Sequence, residues 1–428
     1  MNRWEGNMIV SLAVAMGLML SPASLVLLGN SMGRVGLSYL IIILFAMGLQ
    51  LFTAFSFGEL INRYPSPGGE AKGIQETLGT IPATVLPLCS RVVFTICIGT
   101  ILLSKAGYAF NEVFAPWFPN LGFSFCLLGF LLVLNLLGPR IAETAQVFFA
   151  GLTALGLVSL SFAGLLESGT RPLRIEGSGL SGLPIIPDIF LSLLLFTGFD
   201  LAGLRKSGEE KGSSHFTMAM VLGIILSGSV LLLWGFTSYQ NVPPDRLSET
   251  TVPYMVAARE ILGQQGRIVM GMLIMTATCG AVNSLLMAGC GMIAGMAALR
   301  LLPSYSRIFP PRFPMPLILL ATGIGVMMAT GMAGEPALEV YGRGGFLFWL
   351  LTYAVDHLVV LMMRSRVPGY PVVPVISCLF LLAGFLGLIR TEDQSDLLLK
   401  FMFFIFIIVS FLSLLWSIYS SRRKEVRR

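Results

Sequence analysis

Charged side chains lodged in long apolar runs are the residues of this chain best placed to do chemistry. Asp200 ends the stretch Phe196-Thr197-Gly198-Phe199-Asp200. Lys105 lies 14 residues after Arg91 in a second run, and Asp356-His357 sit together in a third. A charge in such surroundings is costly and by default marks a binding or proton-relay position. Asp200 follows a glycine at which a helix can break. Protonation would remove its charge and change its pairing, the elementary step of proton coupling. Lys105 stands about 21 Å from Arg91 along a helix. It either extends outward along the helix or faces an inner vestibule, where it favours an anion or pairs with Glu112. Asp356 and His357 are adjacent, so they cannot share one helix face, and a packing role is expected of them. Asp188 falls near the end of its run and is expected at an interface. Sodium would need oxygens from a broken first helix and from the hydroxyls of Thr276, Thr278 and Ser284.

Other chemistries find little support. The six cysteines, at 89, 97, 126, 279, 290 and 378, form no CxxC or Cys/His cluster and read as buried free thiols. An intramembrane enzyme would have to combine Asp200 with Glu209 and Glu210 as metal or acid/base groups. A bilayer interface separates them. No Walker A lysine motif is present, so nucleotide drive is not expected. No cofactor and no metal site are expected.

The elements that hold these residues are membrane helices. The chain is 55% hydrophobic and 12% charged, with mean hydropathy +0.83. A soluble domain carries about 25% charged residues, so lipid must be the main solvent. Spans of about 20 apolar residues are expected near 7–30, 37–62, 81–110, 121–138, 143–167, 185–204, 215–238, 266–297, 313–331, 343–363, 371–390 and 397–420. The first is read as a retained helix, not a signal peptide. With both termini inside, 17 of the 28 Lys and Arg residues fall in inner segments. This bias predicts cytoplasmic termini in a plasma or inner membrane. The +6 charge is concentrated in the tail Arg422, Arg423, Lys424, Arg427 and Arg428, which suits anionic lipid and not nucleic acid.

Two spans carry signs of interruption. Span one holds Ala15-Met16-Gly17-Leu18-Met19-Leu20-Ser21-Pro22, and span six holds Phe196 to Asp200. If spans one to five and six to ten are inverted repeats, these are the first helices of each. The alternative is two ordinary helices with a kink or a packing glycine.

The segment Phe57-Gly58-Glu59-Leu60 through Tyr64-Pro65-Ser66-Pro67-Gly68-Gly69 resembles the loop after helix two in amino acid–polyamine–organocation (APC) transporters. Gly17 to Pro22 resembles that family's first-helix break. Phe196 to Asp200 with Gly208-Glu209-Glu210-Lys211 resembles its sixth helix and exit loop. Asn283 through Arg300-Leu301-Leu302-Pro303 resembles its eighth helix. Spans one to ten are covered in order.

The resemblance implies an all-α integral membrane protein with 12 transmembrane helices in a five-plus-five inverted repeat (APC/LeuT-type fold) plus two C-terminal helices. Its parts would be residues 1–167, 185–363, 371–420 and a basic tail at 421–428. It implies a secondary transporter of an amino acid or related amine, working by alternating access on a proton or sodium gradient. By position, the amides of Met16, Gly17 and Leu18 would hold a carboxylate. The carbonyls of Leu194, Leu195 and Thr197 would hold an ammonium. Cys97, Ile101, Ser104, Lys105 and Tyr108 would offer one face of helix three to the side chain, and Asp200 with Lys105 would serve gating or proton coupling. The chain departs from the family at Ala15, where glycine is usual, at bulky Met16, at Gly291 in place of arginine, and in lacking Asn-Pro after helix six. Those departures at Ala15 and Met16 are what an inactive sensor would show.

Overall fold

The computed structural model describes residues 3–66, 68–168, 186–204, 214–303, 314–364 and 372–425, and among these the regular structure is helical throughout. In lipid each peptide group must be bonded within its own segment, so long apolar runs fold as helices. Helices α1 (Arg3–Met19) and α2 (Pro22–Val35) are together long and apolar enough for one span and are bent by 50° at the break between them. Helix α3 (Ser38–Arg63) is followed by the short α4 (Gly69–Leu78) and α5 (Thr80–Pro87). One π turn, Leu88–Val93, joins α5 to α6 (Phe94–Val113). Next come α7 (Asn120–Leu136) and α8 (Pro139–Ser168). The sixth span is α9 (Ile186–Leu191), a 3-10 turn (Ser192–Phe196) and α10 (Leu201–Leu204). Helices α11 (Ser214–Asn241), α12 (Pro244–Ser248) and α13 (Pro253–Ala298) follow. The chain closes with α14 (Met315–Met327), α15 (Pro336–Arg364), α16 (Val372–Thr391) and α17 (Ser395–Glu425).

Ten segments among the described residues are long and apolar enough to cross a membrane, the bent pair adds an eleventh, and the 17-residue α7 is a shorter apolar helix. They fall in the order and places that the apolar runs give. The chain is a multi-pass, all-helical membrane protein. One boundary differs from expectation. Span eight was expected from residue 266, yet helix runs from Pro253, cut by non-helical angles at Leu262 and by Gly263 at φ +60°. Residues 253–261 are therefore a separate arm, linked to α12 by the Arg246–Glu260 ion pair at 2.9 Å. Gly208 to Lys211, Pro67, Arg427 and Arg428 lie outside the described residues.

Backbone contacts divide the chain into two units. Unit one holds Met1–Leu51, Leu102–Ala202 and Ala219–Ser284. In it α1 packs on α8, and α2 packs on the 3-10 turn of span six and on α12. A Cβ added at Gly33 would stand 2.5 Å from the Ser248 nitrogen and 2.6 Å from the Pro244 carbonyl oxygen, so only glycine admits α12 this closely.

Unit two holds Phe52–Ile101, Gly203–Met218 and Leu285–Arg428. Helix α15 is its centre, against α16, α17, α4 and the π turn. The loop helix α4 is pinned twice. Tyr64 donates its phenol hydrogen to Glu76, and burial together with that bond pushes the phenol above its ordinary pKa. Arg91 Nη2 donates to Glu70 Oε1 at 2.9 Å with both side chains buried, and its guanidinium lies 4.2 Å from the Trp349 ring. Arg300, at φ +64°, ends the helix that runs to Ala298, and Trp416 Nε1 donates to its carbonyl at 3.1 Å.

Candidate functional site

The first break follows from one proline. Pro22 has no N–H, so the Leu18 carbonyl, four residues back, loses its helical donor. Two groups take it instead: the Ser21 nitrogen at 3.1 Å and the Ser24 hydroxyl at 3.3 Å. Ser21 is extended (φ −70°, ψ 160°) and caps α2, its Oγ accepting from the Ser24 nitrogen at 3.4 Å. Helix α1 thus ends at Met19, and the break is Leu20-Ser21. It comes after Met16, Gly17 and Leu18, whose amides lie in the last turns of α1.

The second break is a tightened helix that stops. The 3-10 turn ends at Thr197 (φ −67°, ψ 138°), and Gly198 takes φ +102°, a region closed to residues with a Cβ. Leu194 spends its carbonyl on the Thr197 nitrogen at 3.2 Å, and Leu193 accepts from the Thr197 hydroxyl at 3.3 Å. The chain resumes as α10, with Leu201 N donating to Gly198 O at 3.2 Å.

The two breaks touch. A Cβ on Gly198 would come within 2.8 Å of the Leu18 Cβ. Ser21, Ser24, Leu195, Thr197 and Asp200 are all buried around this contact. Fourteen-residue α2 starts here with its positive dipole end, while α1 and the 3-10 turn finish here with their carbonyl ends. A group with one negative and one positive pole is matched by this arrangement without a pair of fixed side-chain charges. Ala15, where the resembled family has glycine, is accommodated from α11: a Cβ on Gly223 would approach the Ala15 Cβ to 2.8 Å.

Gly17 has a different surrounding from the one expected. It faces α8 and α13, where an added Cβ would meet Ser284 Oγ at 2.3 Å, Gln146 Nε2 at 2.8 Å and the Gly280 carbonyl at 2.8 Å. Behind it runs a chain of amides, buried at Gln146 and Asn283 and half-buried at Asn135. Asn135 Nδ2 donates to Asn283 Oδ1 at 2.7 Å, Asn283 Nδ2 to Gln146 Oε1 at 2.9 Å, and Gln146 Nε2 to the Ala13 carbonyl at 3.0 Å. Sequence reading missed this chain. Its only signal is three amide side chains inside apolar runs.

Asp188 is likewise buried and bonded. Its Oδ1 accepts from Ser31 at 2.5 Å and from Arg34 Nη2 at 2.6 Å, tying the end of α2 to the start of α9. Glu112 pairs with Arg267 at 2.9 Å. Lys105 is half-buried, and Tyr108 is 49% exposed, so the five helix-three positions do not form one buried face. Cys97 and Ile101 are buried in unit two, with the unit boundary falling after Ile101. In that unit His357 Nε2 lies 3.2 Å from the Thr53 hydroxyl, and Asp356 is buried beside it in sequence.

Comparison with known proteins adds the ancestry. The chain is 26% identical over 202 residues to the low-affinity putrescine importer PlaP of Escherichia coli, in both strain K12 and strain O157:H7. That match covers 44% of this chain and 43% of the importer, so less than half of the relative's length is spanned. Among solved structures, Mhp1, a nucleobase-cation-symport-1 family transporter in a closed conformation with bromovinylhydantoin bound, superposes with a TM-score of 0.54 at 13% identity. It covers 92% of this chain and 96% of its own, which shows a shared fold. The family model described as "Amino acid permease" matches residues 7–420, nearly the whole length. The chain belongs to the amino acid permease family.

Proposed function

We propose that the protein is a secondary transporter that moves an amino acid or a related amine by alternating access, with substrate held where spans one and six are broken. The observation that carries this reading is the meeting of the two breaks at Leu18 and Gly198, inside a buried shell that ends in Asp200. A substrate carboxylate lies toward the start of α2. Its ammonium lies toward the carbonyl ends of α1 and the 3-10 turn, near Leu194, Leu195 and Thr197. Met16, Gly17 and Leu18 frame the contact from the α1 side. Asp200 supplies negative charge on the ammonium side, and its protonation gates release. The importer relative is named for a diamine, which supports including amines among the candidates. The first broken helices of two inverted repeats, residues 1–167 and 185–363, are then these two spans. Residues 371–420 add two helices, and the excess of positive charge places both termini in the cytoplasm.

Reconstitution in liposomes with labelled amino acids and amines, putrescine included, tests the reading. Saturable uptake of at least one compound is expected. Asp200→Asn removes the buried charge, and weakening the ammonium contact by about 2 kcal/mol lowers apparent affinity about thirtyfold. Uptake of none of the compounds removes the transport reading. Uptake with unchanged affinity and pH response in Asp200→Asn removes Asp200 from it.

A further inference from the structure

Helix α7, the expected fourth span, is short for a membrane crossing. Its 17 residues rise about 25 Å, against a hydrocarbon core of about 30 Å. Tilting would shorten its reach further. A short span is accommodated by keeping its flanking residues at the lipid interface instead of in water. The flanking segment is Phe114-Ala115-Pro116-Trp117-Phe118-Pro119, between the end of α6 and Asn120. Three of its side chains are aromatic, and its two prolines have no N–H to satisfy.

Backbone polar groups at the edge of the hydrocarbon meet little water and must be bonded within the protein. This loop is built that way. Phe114 N and Ala115 N donate to the Phe110 carbonyl at 2.9 and 3.2 Å, and Phe118 N donates to the Ala115 carbonyl at 3.0 Å. Asn111 Nδ2 reaches the carbonyls of Ala115, Pro116 and Phe118 at 3.3, 2.9 and 2.8 Å. The Pro119 carbonyl accepts from Phe123 N at 3.1 Å. Under the loop the rings are packed on one another. Phe110 and Phe123 stack with centroids 3.9 Å apart and planes 5° apart, and Phe118 meets Phe110 edge-on at 6.0 Å. Trp117 meets Phe118 edge-on at 5.7 Å. Ser124 Oγ donates to the Leu103 carbonyl at 2.8 Å, which fastens α7 to α6 below the loop.

On this braced turn the indole of Trp117 is left 82% exposed. Its N–H has no partner among the described residues, whereas Trp416 gives its own to the Arg300 carbonyl. A large ring with an apolar body and a polar tip suits the boundary between lipid and water. Neighbouring residues mark that boundary. Glu112, exposed, pairs with Arg267 at 2.9 Å on the water side. Leu121 and Phe125 are exposed on the first turns of α7, where lipid is the solvent. We propose that Trp117 is a lipid-binding anchor: its ring inserts among the ester groups of the leaflet at this end, the indole N–H donates to a lipid carbonyl, and short α7 is thereby held in register with the bilayer. The charges beside it, Glu112 and Arg267, neutralise each other, so a zwitterionic phospholipid suffices. The inference rests on the membrane-spanning fold and not on the transport reading.

The test uses the full-length protein in phosphatidylcholine liposomes, with Trp117→Phe as reference. Wild-type emission minus that of the variant is the Trp117 signal. Bromine on a lipid chain quenches an indole that it touches. Phosphatidylcholine brominated near the top of its chains is expected to quench the Trp117 signal about twofold more than phosphatidylcholine brominated near the chain ends, with little quenching by iodide in the water. A signal quenched by iodide and by neither bromolipid places the ring in water and overturns the proposal. A signal reached by none of the three places the ring under protein, in a second copy or another partner, and overturns it as well. Should Trp117→Phe fail to fold, Trp117→Tyr serves as the reference and reads the same quantity. Melting gives a second readout. Trp117→Asp is expected to lower the midpoint more in lipid nanodiscs than in detergent micelles, whose interface adapts to a short span. Equal lowering in both overturns the role of the lipid contact in holding α7.

Discussion

Arg91→Ala is expected to destabilise the protein by about 3–5 kcal/mol, the scale found when one partner of a buried ion pair is removed. The cause is the charge left behind. Glu70 is 1% exposed, and its carboxylate faces Arg91 at 2.9 Å, so truncation strands an anion in a dry interior. The guanidinium also stacks over Trp349 at 4.2 Å and lies 5.5 Å from Tyr353, a desolvated cation–π arrangement worth about 2 kcal/mol. Arg91→Lys keeps the charge but loses the flat fork that bonds and stacks together, so it should fall between wild type and Ala. Replacing both partners, Arg91→Met with Glu70→Leu, removes the stranded charge and should recover most of the loss. Unfolding midpoints in detergent check the series. A double variant that loses the sum of the two single losses would show that the pair is not the source of the effect.

Gly17→Leu is the second large effect, and it should abolish transport and lower stability. Even the single methyl of Gly17→Ala would stand 2.3 Å from Ser284 Oγ and 2.8 Å from a backbone carbonyl, where real Cβ contacts are not found. Overpacking of this kind costs about 1–3 kcal/mol in a rigid core. The strain has one soft partner, the Ser284 hydroxyl. Adding Ser284→Ala to Gly17→Ala should therefore restore part of the stability, and Gln146 and Gly280 should hold back the rest. A thermal-shift series over wild type, both single variants and the pair decides it. Additive losses, with no recovery in the pair, would sink the packing account.

The helices were legible because lipid leaves a chain few options. Runs such as 37–62 and 371–390 reappear within a few residues as α3 and α16. The first break was legible too, since Ser21-Pro22 is a cap and a missing donor written side by side. What Gly17 faces was not legible. Its partners lie at 146, 280 and 284, and only the folding of three spans brings them together. The same holds for Glu70, one residue beyond the Pro-Gly-Gly motif, whose role depends on where Arg91 points. The helix-three face was legible only in part: Tyr108 keeps the helical phase of Ile101 and is 49% exposed, so periodicity predicts direction and not depth. Helix begins before the expected start of span eight because residues 253–261 form a helix of their own, cut from the span at Leu262 and Gly263.

The π turn at Leu88–Val93 has a consequence for descent. A π turn holds one residue more than the α turn it replaces, so removing a residue there would turn everything beyond Val93 by about 100° relative to Arg91. Arg91 sits inside this extra turn, with its guanidinium over Trp349. Extra residue and arginine are therefore coupled: deleting the residue would also break the pair with Glu70. In relatives, the length of this span should record whether the loop helix α4 is charge-anchored, even where the residues themselves have drifted beyond recognition.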